Sequence, residues 1–163
     1  VCTSKDADKE SIFWYVEFPE RVNYVGRLDK DSTGLLLLTN DGDLANEIQR
    51  SRNNHEKEYH VRVNTDITED FIRKMSSGVE ILDTVTKPCK VKKTGARNFS
   101  IILTQGLNRQ IRRMCDALHV RVVHLKRVRI MNVRLGNLRP GEYRTLTRQE
   151  EQELRRLVEK DSL

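Results

Sequence analysis

A polar loop near the start of the chain carries the carboxylates that could do chemistry. Asp29 and Asp31 lie within residues 25–34, which run directly into the apolar residues Leu35–Leu38. A polar loop anchored to a buried strand can hold a carboxylate rigidly, and such a carboxylate can act as a nucleophile or stabilise positive charge at a reacting carbon. Aspartates between glycines also form turns, so the residue types alone leave a structural role open.

Basic side chains are concentrated in the second half of the chain. Residues 109–129 contain seven basic side chains and one acidic one, whereas residues 150–161 contain five acidic and three basic ones. The formal net charge is +6 at pH 7. A focused basic region favours a polyanionic partner, and RNA or DNA ranks ahead of a membrane because no basic amphipathic helix with an aromatic face accompanies it. A solvated charged face is the structural alternative.

The cysteines and histidines indicate no metal site. Cys2, Cys89 and Cys115 are odd in number and widely spaced, which fits neither a disulfide framework nor a metal-ligand pattern. The four histidines are equally scattered, so structural roles are expected for them. A reducing, cytoplasmic compartment is therefore the default expectation. No stretch of the sequence approaches the length of a membrane span.

The elements that must position these residues are short and mixed. Leu35–Thr39 predicts a buried strand, and a helix with Leu44 and Ile48 on one face is expected after Asp43. Other predicted elements are a strand over 58–63, a helix from Thr68 to Gly78, a hairpin at 93–97, a helix with Ile111, Met114, Cys115 and Leu118 buried, strands over 120–135, and a helix opened by a Thr147–Glu150 capping box. This order predicts an α+β fold with a largely antiparallel sheet.

Three ordered motifs carry a family resemblance. Gly26-Arg27-Leu28-Asp29 followed by Ser32-Thr33-Gly34-Leu35-Leu36 resembles the signature of the RsuA-type branch of RNA pseudouridine synthases. The segments Lys57-Glu58-Tyr59 and 106–115 are similar to the second and third motifs of that family, and residues 85–91 agree with it. Because the motifs follow one another at suitable separations, coincidence is improbable.

The resemblance implies both an activity and a fold. The activity is isomerisation of a uridine in large-subunit ribosomal RNA, or in a transfer RNA, to pseudouridine without a cofactor. The fold is the pseudouridine-synthase fold, a largely antiparallel mixed sheet in two subdomains flanked by helices, with a central basic cleft. Asp29 is the expected catalytic carboxylate and Arg112 its expected ion-pair partner, which would keep it ionised in a dry pocket. Tyr59 is expected to stack on the flipped base or to assist a proton transfer.

A larger set of polar and basic residues is expected to contact the RNA backbone. Its members are Arg27, Lys30, Lys57, Asn108, Arg109, Arg113, Lys126, Arg127 and Arg129. Together they would supply salt-dependent affinity with little sequence preference. Family members also carry a lysine-proline motif and an S4-like RNA-binding domain ahead of the segment that begins here, so residues 1–163 are interpreted as a single, N-terminally truncated catalytic domain, with a monomer as the default.

Several alternatives stay open at the level of sequence. Arg112 could contact a phosphate instead of Asp29. Tyr59 shares a strand face with Val61 and Val63, which is typical of a core residue. For the whole chain, the rivals are a non-catalytic RNA-binding module in ribosome assembly and a nucleoside hydrolase or glycosylase that releases uracil through the same carboxylate.

Overall fold

The chain alternates short strands and helices along its length. A computed structural model describes residues 18, 20–50 and 54–161. The strands within them are β1 (Asn23–Val25), β2 (Thr33–Gly34), β3 (Leu37–Thr39), β4 (Lys57–Val63), β5 (Glu80–Ile81), β6 (Thr84–Val85), β7 (Lys90–Gly95), β8 (Asn98–Leu103), β9 (Val122–Ile130) and β10 (Val133–Arg134). The helices are α1 (Gly42–Arg50), α2 (Glu69–Ser77), α3 (Gln110–Ala117) and α4 (Arg148–Asp161). None of the described helices is long and apolar enough to cross a membrane.

One sheet forms the centre of the structure. Its strands run in the order β10-β9-β4-β8-β7, with antiparallel neighbours throughout. β2 adds a parallel pairing to β9, with Thr33 opposite Lys126 and Gly34 opposite Arg127. Two further pairs, β1 with β3 and β5 with β6, form small separate sheets. The predicted α+β fold with a largely antiparallel sheet is therefore confirmed.

The apolar run after the polar loop does not form the single strand that its sequence predicts. β2 ends at Gly34, and the Leu35 amide donates a hydrogen bond to the Arg127 carbonyl at 2.8 Å. The chain then leaves the central sheet, and β3 pairs with β1 instead. Leu35 is buried, whereas Leu37–Thr39 are half-buried. The prediction of one buried strand was wrong because consecutive parts of the run pair with different strands.

A first core fills the space between the central sheet and helices α2 and α3. Alternation along β4 buries Val61 and Val63 while exposing His60 and Arg62, as predicted. The predicted hairpin is also present, and Phe99 of β8 packs edge-on against Phe71 of α2. α3 contributes the predicted buried stripe of Ile111, Met114 and Cys115, with Leu118 packed beside it. Burial raises the pKa of the Cys115 thiol to about 12.

A second core joins the amino-terminal strands to the final helix. It includes Val25 of β1, Leu44 and Ile48 of α1, Val133 of β10, and Leu154 and Val158 of α4. The predicted capping box opens α4: the Thr147 amide donates to Glu150 Oε1 at 2.9 Å, and the Glu150 amide donates to Thr147 Oγ1 at 3.1 Å. Thr68 caps α2 in the predicted way by accepting from the Phe71 amide.

Candidate active site

The loop between β1 and β2 presents Asp29 at the edge of the central sheet. The Ser32 amide donates to the Asp29 carbonyl at 2.9 Å, which closes a tight turn over residues 29–32. The Asp29 side chain remains 40% exposed. A cavity of about 990 Å³ lies beside the loop, and its wall includes Asp29, Lys30 and Lys126. The carboxylate is thus held on a rigid turn and stays accessible to a ligand.

Arg127 anchors this loop from beneath. Its side chain is 4% exposed, its Nε donates to the Leu35 carbonyl at 2.9 Å, and an Nη donates to the Arg27 carbonyl at 3.4 Å. Arg27 and Leu35 flank the turn, so the one guanidinium ties both ends of the loop to β9. The predicted contact between Arg127 and RNA is therefore not available, because the side chain is enclosed by the protein and bonded to its backbone.

The structure also gives Arg129 a role within the protein. Its side chain is 12% exposed, and it lies 3.6 Å from the Glu56 carboxylate and 3.5 Å from the Glu58 carboxylate. It also donates to the Met131 carbonyl at 2.7 Å. These contacts engage Arg129 within the protein, and an RNA contact from this residue stays a prediction.

Arg109 connects the loop to the start of α3. It donates two hydrogen bonds to the Asp31 carboxylate, at 2.9 and 2.7 Å, and its Nη1 lies 3.7 Å from the Asp29 carboxylate. These bonds from Arg109 hold the pKa of Asp31 down at about 2. The backbone of Arg109 is left-handed, with φ 49° and ψ 38°, a conformation that costs a non-glycine residue about 1 kcal/mol. This strained geometry places the guanidinium over the loop.

Arg112 contacts Asp31, whereas the sequence predicted that it would form an ion pair with Asp29. Its Nη2 donates to the Asp31 carbonyl at 2.7 Å and to Ser32 Oγ at 3.3 Å, and its Nε lies 3.5 Å from the Asp31 carboxylate. The predicted Asp29–Arg112 ion pair is thus replaced by an Asp31–Arg112 pair, because the turn directs Asp31 towards α3. The Arg112 side chain is 13% exposed, so it braces the turn from the protein side.

Tyr59 lies two strands away from the loop. On β4 it pairs with Ile101 of β8 on one side and Arg127 of β9 on the other, and Arg127 in turn pairs with Gly34. Its half-buried ring packs against the first core. Lys57, also half-buried, precedes it by two residues. The structure therefore aligns Tyr59 with the end of the loop across β9, while leaving the ring partly accessible.

The remaining predicted RNA contacts fall into two groups. Arg27 and Lys30 are exposed on the loop beside Asp29, and Lys126 is half-buried next to Thr33. Asn108 and Arg113 instead bind each other, since Arg113 donates to both the carbonyl and the side-chain oxygen of Asn108 at 3.0 Å. These hydrogen bonds hold the turn that leads into α3. The guanidinium of Arg113 remains half-exposed.

Sequence reasoning missed three residues that build the site. Asp31 was named as one of the two loop carboxylates but given no role, yet it contacts both Arg109 and Arg112. Gly34 has φ 113°, and a Cβ there would lie 2.2 Å from the Arg127 carbonyl oxygen, so no side chain fits. Gln110 is buried and accepts from the Leu107 amide at 3.1 Å. The partners of Asp31 and Gly34 lie far away in sequence, so no direct signal for these contacts is present in the sequence. Gln110 lies inside the third motif, which was the available signal for it.

The comparison with known proteins places the chain in a family. A sequence model described as RNA pseudouridylate synthase matches residues 2–117. The chain belongs to this family. The match covers the Asp29 loop, the Tyr59 strand and the whole of α3, whereas β9 with Arg127 lies beyond it.

Individual relatives agree with the family assignment. The chain is 54% identical over 99% of its length to the dual-specificity RNA pseudouridine synthase RluF of Escherichia coli (strain K12), and spans 56% of that protein. It is 34% identical to the ribosomal large subunit pseudouridine synthase B of Bacillus subtilis (strain 168), covering 90% of this chain and 62% of the relative. A crystal structure of a pseudouridylate synthase superposes with a TM-score of 0.82 at 33% identity, over 88% of this chain and 65% of the other.

Proposed function

We propose that this chain catalyses the isomerisation of uridine to pseudouridine in RNA, with Asp29 as the catalytic carboxylate. The observation that carries the proposal is the loop itself: within the family-matched region, an accessible carboxylate is held on a turn that Arg109, Arg112 and Arg127 secure. Such a group is positioned to react and is supplied with nearby positive charge.

The reaction needs no net change in oxidation state. The bond between N1 of uracil and C1′ of ribose breaks, the ring turns, and a bond forms between C5 and C1′. C5 loses its hydrogen as a proton, and N1 gains a proton. A carboxylate can form a covalent intermediate at the sugar or stabilise positive charge at C1′. Arg109 Nη1 lies 3.7 Å from the Asp29 carboxylate and places a positive charge beside it.

Tyr59 and the exposed cations of the loop are proposed to bind the RNA around the reacting nucleotide. A target uridine must leave its helix to react, and an aromatic face can hold the flipped base. The half-buried ring of Tyr59, aligned with Gly34 across β9, supports that assignment. Arg27 and Lys30 flank Asp29 and are exposed, which suits phosphate contacts on either side of the reacting nucleotide.

The substrate class follows from the relatives. The relative in Bacillus subtilis is named for the ribosomal large subunit, and the relative in Escherichia coli is named dual-specificity. We infer that large-subunit ribosomal RNA is a substrate and that transfer RNA is the second RNA to test.

The first test is release of tritium from RNA labelled at uracil C5, because the new C5–C1′ bond displaces that hydrogen. We expect release by the chain and a loss of at least 1000-fold with Asp29→Asn, since removal of a nucleophile has an effect of this order. Asp66→Asn, an exposed aspartate paired with Arg97, is the matched control and should retain activity.

Two results would contradict the proposal. Free uracil among the products would indicate a glycosylase. RNA binding without tritium release, on both ribosomal and transfer RNA, would indicate a binding module.

A further inference from the structure

The cations that the sequence assigns to RNA are largely engaged within the protein. Arg109 and Arg112 bind Asp31, Arg127 binds backbone carbonyls, and Arg129 lies between two glutamates. A second set, which extends from the edge of the site across the central sheet, is different. The contacts of the described residues leave the side-chain cations of Arg62, Lys92 and Lys126 without a carboxylate partner.

These three cations share one face of the central sheet. Residues directly opposite each other in an antiparallel pair project to the same side. Lys126 of β9 pairs with His60 of β4, His60 pairs with Ser100 of β8, and Ser100 pairs with Lys92 of β7. The face lies opposite the buried side chains Val61 and Phe99, so it is the side of the sheet away from α2 and α3.

A second row runs beside the first. Arg62 pairs with His124 of β9 on one side and with Asn98 of β8 on the other. All three are exposed. Together the two rows form a basic sheet face made of Lys126, His60, Ser100, Lys92, His124, Arg62 and Asn98.

The cations of this basic sheet face have no carboxylate directly opposite them on the neighbouring strands. Opposite charges across strands stabilise a sheet, and like charges directly opposite destabilise it. Here Lys126 faces His60 and Arg62 faces His124, so neither cation has an opposite charge across the strands. Glu58 borders the first row, 4.0 Å from His60 Nε2, but its carboxylate already lies 3.5 Å from Arg129. A polyanion would offset the remaining charge.

The basic sheet face is continuous with the candidate active site. Thr33, four residues after Asp29, pairs with Lys126, and its hydroxyl lies 3.3 Å from His124 Nε2. Thr33, Lys126 and His124 also line the cavity beside Asp29. From Thr33 to Lys92 the first row crosses five strands, a width of about 19 Å at the usual strand spacing. A ligand on this face would therefore lead directly to the loop that carries Asp29.

From these observations we propose that the basic sheet face binds the phosphate backbone of the RNA that flanks the target uridine. The inference rests on the proposed function in taking RNA as the ligand. Phosphate contacts of this kind position a substrate without reading its sequence. The face thus holds the RNA arm while the loop acts on a single nucleotide.

The test compares two double variants that remove the same charge. Arg62→Gln/Lys92→Gln neutralises the basic sheet face, whereas Arg73→Gln/Lys74→Gln neutralises two exposed cations of α2 on the other side of the sheet. Affinity for a fluorescein-labelled hairpin from large-subunit ribosomal RNA is measured by anisotropy from low to high salt. We expect the first variant to reduce the slope of log affinity against log salt by about 1.5, and the second to leave it unchanged.

Further measurements separate this inference from the proposed activity. Arg62→Lys/Lys92→Arg keeps both charges and should keep the wild-type slope. In tritium release, Arg62→Gln/Lys92→Gln should raise KM severalfold with little change in kcat. Equal losses of affinity in both charge-removing variants, or a loss in neither, would overturn the inference. A further outcome is that the salt slopes of the two charge-removing variants differ as expected while the wild-type chain releases no tritium. That result would support RNA binding by the basic sheet face and contradict the proposed activity.

Discussion

At the scale of single residues, Asp29 and Asp31 differ in how closely their carboxylates are bound by arginines. Asp31 receives two hydrogen bonds from Arg109 and lies 3.5 Å from Arg112, whereas Asp29 has an arginine contact at 3.7 Å and a side chain 40% exposed. Bidentate arginine–carboxylate pairs fix both partners in orientation. Asp31 is thus suited to hold the two arginines in place, and Asp29 remains available to a ligand.

Asp31→Asn should lower kcat without weakening RNA binding. The amide offers one oxygen in place of two, so Arg109 and Arg112 lose their fixed orientation, and a small displacement at a reacting centre costs about 10- to 100-fold in rate. Loss of a negative charge should leave KM unchanged or lower it. Single-turnover tritium release at varied RNA concentration separates the two constants.

Asp70→Asn is the control for this change, because Asp70 also contacts two cations, Arg73 and Lys74, but lies on α2 away from the loop. It should behave like the wild-type chain. An unchanged kcat in Asp31→Asn would show that Asp31 does not position the arginines.

At the scale of elements, β9 organises the site. It pairs in parallel with β2 along one edge and antiparallel with β4 along the other. Through Arg127 it binds both ends of the Asp29 loop. The close approach of β2 requires Gly34, whose missing side chain leaves room for the backbone of Arg127. The position of the loop therefore depends on backbone packing as well as on ion pairs.

Gly34→Ala should destabilise the fold by about 2–4 kcal/mol. The added Cβ would collide with the Arg127 backbone, and φ of 113° disfavours any side chain. Urea unfolding followed by circular dichroism measures the free-energy change. Gly42→Ala, at the first residue of α1 with no atom near the new Cβ, should change stability by less than about 1 kcal/mol. Equal effects of the two substitutions would show that the contact of β2 with β9 is not tight.

At the scale of the whole molecule, two cores meet along one strand. Leu125 of β9 belongs to the first core and Ile130 of the same strand to the second. The Asp29 loop lies where these cores adjoin, since Val25 and Leu35 on either side of it are buried in the second core, while Arg109 and Arg112 reach it from α3 beside the first. This shared strand supports the interpretation of one cooperative domain.

Cavities in either core should therefore destabilise the whole chain. Met75→Ala in the first core and Leu154→Ala in the second each remove a buried side chain, which costs about 2–5 kcal/mol. Both variants should unfold in urea in one transition at a lowered midpoint, with hydrogen exchange in β4 and α4 accelerated together. Selective loss of protection in α4 of Leu154→Ala, with β4 unaffected, would show two independent units.

The sequence alone determined those features that depend on neighbours a few residues apart. The cap at Thr68, the capping box of Thr147 and Glu150, and the alternation along β4 follow from local hydrogen bonding and side-chain periodicity. Its motifs also predicted Asp29, Tyr59 and Arg112 as catalytic residues and Arg109 as an RNA contact. The structure places Asp29, Arg109 and Arg112 around the same turn.

Only the tertiary structure decided which partners meet. Arg127 and Leu35 are 92 residues apart, and their hydrogen bond exists because β2 pairs in parallel with β9. The same pairing buries Arg127 and ends β2 at Gly34. It also fixes the turn in which Asp31, and not Asp29, contacts Arg112. The sequence contains the cations but does not show which strands are neighbours. It therefore could not separate the arginines that brace the loop from the cations of the basic sheet face, which have no carboxylate partner among the described residues.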